Sequence, residues 1–177
     1  MKPILRTPSA LRTAALVLSI AGLAALSACS TPLDRDTRMV PGSTSVAEVL
    51  AAHGEPSRRW PDADGGQTLE YSTQPFGRTC LMVKIDSNGR LRSIINTLSE
   101  TERNRVVAGM TEEQVSRWLG KERSRVLFDL SGEDVWDWTV ASDSPNHGQR
   151  FNVHFKQGVV VRTSHSMVYL DDNRLVR

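Results

Sequence analysis

The chain has 177 residues, with 22 Lys and Arg set against 20 Asp and Glu, for a formal charge of +2. The two signs are interspersed instead of forming a basic stripe, which excludes the electrostatic footprint of a nucleic-acid partner. A 39% share of hydrophobic residues is enough to build a core.

In chain order, the first element is a leader. Lys2, Arg6 and Arg12 make a positive region, Ala14 to Leu26 is an uncharged apolar run, and Leu26-Ser27-Ala28-Cys29 follows at once. This predicts a secretory signal peptide over 1–28. The run is short for a membrane span, which takes roughly 20 apolar residues. The order Leu-Ser-Ala-Cys resembles the bacterial lipobox, and that resemblance implies that the thiol of Cys29 is diacylated and that Cys29 becomes the first mature residue. Two or three acyl chains would then hold the protein on a membrane without spanning it. Ser30 in the next position implies the periplasmic face of the outer membrane. The alternative is an ordinary signal peptide cut after Ala28, leaving a free thiol.

Loss of 1–28 removes three positive charges and no negative one, taking the formal charge from +2 to −1 and leaving 149 residues, enough for one domain or two very small ones. With Cys29 lipidated, Cys80 stands alone and no intramolecular disulfide forms. Its place at the head of Cys80-Leu81-Met82-Val83 fits a small buried hydrophobe or, alternatively, a reactive thiol. Residues 29–40, with Pro32 and four charges, read as a polar tether.

The rest of the chain repeats one pattern. Thr111-Glu112-Glu113-Gln114 is a capping box, Met110 and Val115 form a hydrophobic staple, Val115, Trp118 and Leu119 make an apolar face, and Gly120 supplies the stop. Sixty-six positions earlier Ser45-Val46-Ala47-Glu48 is a second capping box, ended by Gly54 and Pro56. Each helix is followed by matching strands: Leu69-Glu70-Tyr71 against Trp136-Asp137-Trp138, then Leu81, Val83, Ile85 against Phe151, Val153, Phe155. Glycine turns at Asn88-Gly89 and Gln157-Gly158 return a last strand, 90–97 or 159–164. A further helix over 100–107, capped by Ser99, precedes the second unit. The reading is an α+β protein of two tandem units, 41–98 and 99–166, each with one or two short helices on a three-stranded antiparallel sheet, and a tail over 167–177.

The run Val107-Ala108-Gly109-Met110-Thr111, then Val115, Leu119-Gly120, the aromatic strand Val135-Trp136-Asp137-Trp138 and the strand turning at Gly158 resembles the BamE family of outer-membrane lipoproteins, also called SmpA or OmlA. The likeness covers about residues 100–166. Tandem units of this kind also resemble the architecture of the β-lactamase inhibitory proteins. The first resemblance implies a non-catalytic interaction module in β-barrel outer-membrane protein assembly or envelope integrity, with the assembly machinery as protein partner. The second implies an inhibitor or regulator of a periplasmic or cell-wall enzyme.

Catalytic chemistry is not indicated. His53, His147, His154 and His165 fit no zinc pattern, and there is no Cys-x-x-Cys pair, nucleophile elbow or phosphate loop, so no metal, cofactor, nucleic acid or small-molecule substrate is expected. His154 and His165 either meet across a hairpin or face solvent. Asp134 and Asp137 read as solvated charge. Trp136 and Trp138 share a strand face, as core or as an exposed strip. Trp60, after Arg58-Arg59 and before Pro61 in an Asp/Gly-rich mobile loop, is the candidate partner anchor together with Arg58 and Arg59, and Phe76, on the separate loop 72–78 that matches 142–148 of the second unit, is a further candidate.

Overall fold

The structure, a computed structural model, describes residues 39–144 and 147–169. The predicted signal peptide, Cys29, the tether as far as residue 38 and the tail from residue 170 lie outside the described residues.

Helix α1 (Val46–His53) starts where Ser45 accepts the Glu48 N–H and Glu48 accepts the Ser45 N–H at 2.7 Å. In the second unit come α2 (Glu100–Arg103) and α3 (Glu112–Leu119), and Thr111 and Gln114 make the same reciprocal pair at the start of α3. The correspondence extends to backbone angles. The N-caps Ser45 and Thr111 sit at φ/ψ of −82°/159° and −80°/161°, and the stops Gly54 and Gly120 at 78°/−163° and 76°/−165°. That last region is open essentially to glycine alone. The chain enters each helix the same way, with Gly42 donating to the Leu91 carbonyl at 2.7 Å and Gly109 to the Val160 carbonyl at 2.8 Å. The repeat in sequence is a repeat of structure: two tandem α+β units.

Each unit carries a four-stranded antiparallel sheet, one strand more than the sequence suggests. The first orders β1 (Arg58–Pro61), β2 (Gln67–Ser72), β3 (Cys80–Ile85) and β4 (Leu91–Asn96) side by side. The second orders β5 (Ser124–Phe128), β6 (Glu133–Val140), β7 (His147–Lys156) and β8 (Val159–Tyr169) likewise. The extra strands, β1 and β5, are edges. Arg-Arg-Trp-Pro has no apolar alternation, yet its backbone pairs with β2 from Arg58↔Glu70 to Pro61↔Gln67, so the Trp60 segment is a strand and not a mobile loop. Backbone pairing on one side suffices at an edge, where no covered face is required.

Three boundaries also move. Helix α2 stops at Arg103 without a side-chain cap from Ser99, and Val106 reaches the core from the turn that follows instead of from a helix face. Met39 packs on the first core and the Val40 carbonyl accepts the Ser43 and Thr44 N–H groups, so the last two residues assigned to the tether are folded. Met167 to Tyr169, assigned to the tail, pair with His147 to Gln149 in β8. The β7–β8 turn is Gln157-Gly158, both at positive φ (53° and 77°), a mirror-type turn matching the twist of its strands.

The layers alternate. On one face of the first sheet Leu69, Val83, Ile85 and Leu91 bury Val49 of α1. On its other face Cys80 and Met82 join the core of the second unit, with Val115 and Leu119 of α3 and Trp136, Trp138, Phe151 and Val153 of the second sheet. Helix α3 therefore lies between the two sheets and closes them into one body. Trp136 and Trp138 are core residues, 1% and 0% exposed.

Candidate partner-binding surface

The seam between the units holds Trp60. Its indole N–H donates to Glu70 Oε2 at 3.0 Å, with the Arg58 and Arg117 guanidinium groups 4.7 and 5.0 Å from the ring centroid. The other Glu70 oxygen accepts the Lys121 backbone N–H at 2.8 Å. Glu70 is fully buried, so each oxygen needs such a donor. Arg58 and Trp60 share the seam side of β1, whereas Arg59 faces the other way and pairs with Glu55 at 2.7 Å. The structure thus brings together two of the four sequence candidates.

Phe76 lies apart from them, 95% exposed on the loop between β2 and β3. The loop is pinned at its base. Gln74 donates from Nε2 to the Thr139 carbonyl at 2.8 Å and accepts the Thr139 N–H at 3.1 Å, so one carboxamide does the work of a strand neighbour on the edge of β6 beyond the end of β5.

The same edge carries a feature not read from sequence. Among the described residues strand β5 pairs on one side only, and Val126, Leu127, Phe128 and Leu130 of the β5–β6 hairpin are all exposed, Leu130 completely. Val126 and Phe128 stand on one face of the strand and Leu127 on the other, all bordering that edge, and an open edge can take a further strand. The consecutive run Val126-Leu127-Phe128 has neither helical nor strand period, which is why it gives no amphipathic signal; the Ser131-Gly132 turn was the available cue.

No family model and no curated protein matches the chain, so the BamE resemblance rests on its motifs alone. Among solved structures it is similar to a candidate beta-lactamase inhibitor protein from Streptococcus mutans, at 14% identity over 76% of this chain and 93% of that one, with a TM-score of 0.29. It is also similar to a DUF4309 family protein (YjgB) from Bacillus subtilis, at 12% identity over 75% and 82%, with a TM-score of 0.25. Likenesses at that level have no bearing on activity.

One constellation on the outer face of the second sheet has the order of a catalytic relay. Ser164 Oγ lies 2.9 Å from His154 Nε2, and His154 Nδ1 lies 2.9 Å from Glu133 Oε2. Arg162 occupies it, with Nη1 3.1 Å from His154 Nε2 and Nη2 2.7 Å from Glu133 Oε2. A guanidinium only donates, so Nε2 is the accepting nitrogen and Nδ1 carries the proton toward Glu133. The lone pair that a general base would offer Ser164 is thus shared with a permanent cation. The set ties β6, β7 and β8 together; the hydrogen bond from His154 and the Arg162 guanidinium hold the Glu133 carboxyl below the usual range.

His154 is therefore buried in a polar network instead of facing solvent, whereas His165, on the opposite face, is exposed as expected, its ring tilted against Phe151 with centroids 5.3 Å apart. The two do not meet. Asp137 is likewise buried, accepting Arg123 at 2.7 Å and Ser124 at 2.6 Å, and Asp134 accepts the Trp136 indole at 2.8 Å. Neither is free solvated charge. Among the described residues no group of His, Cys, Asp and Glu could hold a metal, and no helix is long and apolar enough to cross a membrane.

Proposed function

We propose that this is a non-catalytic interaction module, held at the periplasmic face of the outer membrane by lipid on Cys29, that captures a protein partner along the β5 edge. The observation that carries the reading is the β5–β6 hairpin, four exposed apolar side chains beside a strand edge that is unpaired among the described residues. A segment of that kind gains from pairing with a partner strand, the backbone supplying affinity and the side chains selectivity. The lipobox-like leader supports the address, and the BamE-like motifs support a role in barrel assembly or envelope integrity.

Recovery of partners from native envelopes by wild-type protein and by a Phe128→Glu, Leu130→Glu variant tests this, with metabolic labelling by a palmitate analogue reporting the anchor on Cys29. Wild-type protein should take up label and bring down barrel-assembly subunits that the variant loses. Recovery of one soluble hydrolase in their place would favour the inhibitor reading, and equal recovery by both proteins would remove the hairpin from the account.

A further inference from the structure

A cleft of about 370 Å³ opens at the seam, between the first sheet and α3. Its volume falls within the range of small-molecule sites, roughly 300 to 1,000 Å³. Most of the exposed wall is apolar: Trp60, Met82 and Ile95 come from the sheet, Met110 and Trp118 from the start and body of the helical segment, with polar side chains between them. Two aromatic rings and two thioethers make an adaptable surface for a flat or branched hydrocarbon body.

The cations in this cleft are not equivalent. Arg117 is engaged three ways, with Glu113 at 3.0 Å, the Pro61 carbonyl at 3.3 Å and the Trp60 ring. Asp62, the acid in the lining, accepts the Thr68 hydroxyl at 2.9 Å. Lys84 is different. It is half-buried on β3, and among the described residues its ammonium makes no hydrogen bond or ion pair. A lysine in a mostly apolar cleft with three donors and nothing to receive them is complementary to a carboxylate.

We infer that the seam cleft binds a small amphipathic carboxylate, its hydrocarbon body between Trp60 and Trp118 and its anionic end on Lys84. This is independent of the hairpin as a partner surface.

The test uses the mature-length chain, residues 29–177, as the Cys29→Ser protein so that no detergent competes for the cleft, with 2-naphthoate as probe and 2-naphthalenemethanol as its neutral counterpart. Trp60 and Trp118 line the site, so intrinsic fluorescence and titration calorimetry both report binding. Naphthoate should saturate, and the alcohol should bind about tenfold more weakly or worse, as loss of one charge-assisted hydrogen bond requires. Lys84→Met should bring the acid down to the alcohol's level, and Lys84→Arg should retain the preference. Equal affinity for acid and alcohol, an unchanged preference in Lys84→Met with a wild-type melting profile, or no saturable binding would each overturn the inference.

Discussion

The Glu70 carboxylate and the Lys121 backbone N–H meet at 2.8 Å across the seam, while the second carboxylate oxygen holds the Trp60 indole. One side chain of the first unit thus accepts the backbone N–H just past the end of α3 in the second. Glu70→Ala strands two donors, each costing about 1–3 kcal/mol. Urea melts should show one transition at a much lower midpoint. A midpoint within error of wild type would mean that the seam is not held there.

Gly54 and Gly120 share a backbone conformation but not surroundings. Among the described residues a Cβ on Gly54 meets nothing within 4 Å, whereas one on Gly120 would lie 2.4 Å from Cys80 Sγ and 3.2 Å from the Glu70 carboxyl. Gly54→Ala should therefore cost only the conformational strain, about 1–3 kcal/mol. Gly120→Ala should cost clearly more, because two buried groups must also move. Equal losses in parallel denaturant melts would contradict the stacked arrangement of the two units.

Cys80 is fully buried, and burial, aided by the Glu70 charge, pushes its thiol up to about 12. The neutral thiol is the form the fold prefers, so its contribution is complete below the unfolded thiol value, about 8.5, and is lost as pH rises toward 12. A chromogenic disulfide reagent at pH 8 should react with the Cys29→Ser protein only after urea is added. In the pH 9–12 window that protein should lose stability faster than one also carrying Cys80→Ala. Rapid reaction of the folded protein would show that the thiol is reachable.

The Ser164, His154 and Glu133 set should not behave as a nucleophile. With Arg162 on the His154 lone pair, a fluorophosphonate probe should leave Ser164 unmodified by intact-mass analysis. Stoichiometric labelling, lost in Ser164→Ala, would reveal an enzyme.

Helices α1 and α3 were legible because capping is local chemistry: Ser45 with Glu48 and Thr111 with Gln114 lie within four residues and made the bonds their spacing implied, whereas Ser99 made no cap and α2 ended early. The core strands were legible from the alternation of Val83 and Ile85 and of Val153 and Phe155. Edge strands were not, since β1 and β5 are specified by the neighbour they pair with and show no alternation of buried residues. Nor was the depth of Asp137 and His154 visible. Arg123 and Ser124 satisfy the first, and Glu133, Ser164 and Arg162 the second, from separate strands.

The central claim is that a protein partner lies along the β5 edge, and site-specific photocrosslinking from Leu127 in native envelopes tests it most directly. A photoreactive residue there should yield a discrete adduct with an envelope protein, while one at Ala47 on the exposed side of α1 yields none. No adduct from Leu127 in intact envelopes, or the same adducts from both positions, would contradict the account.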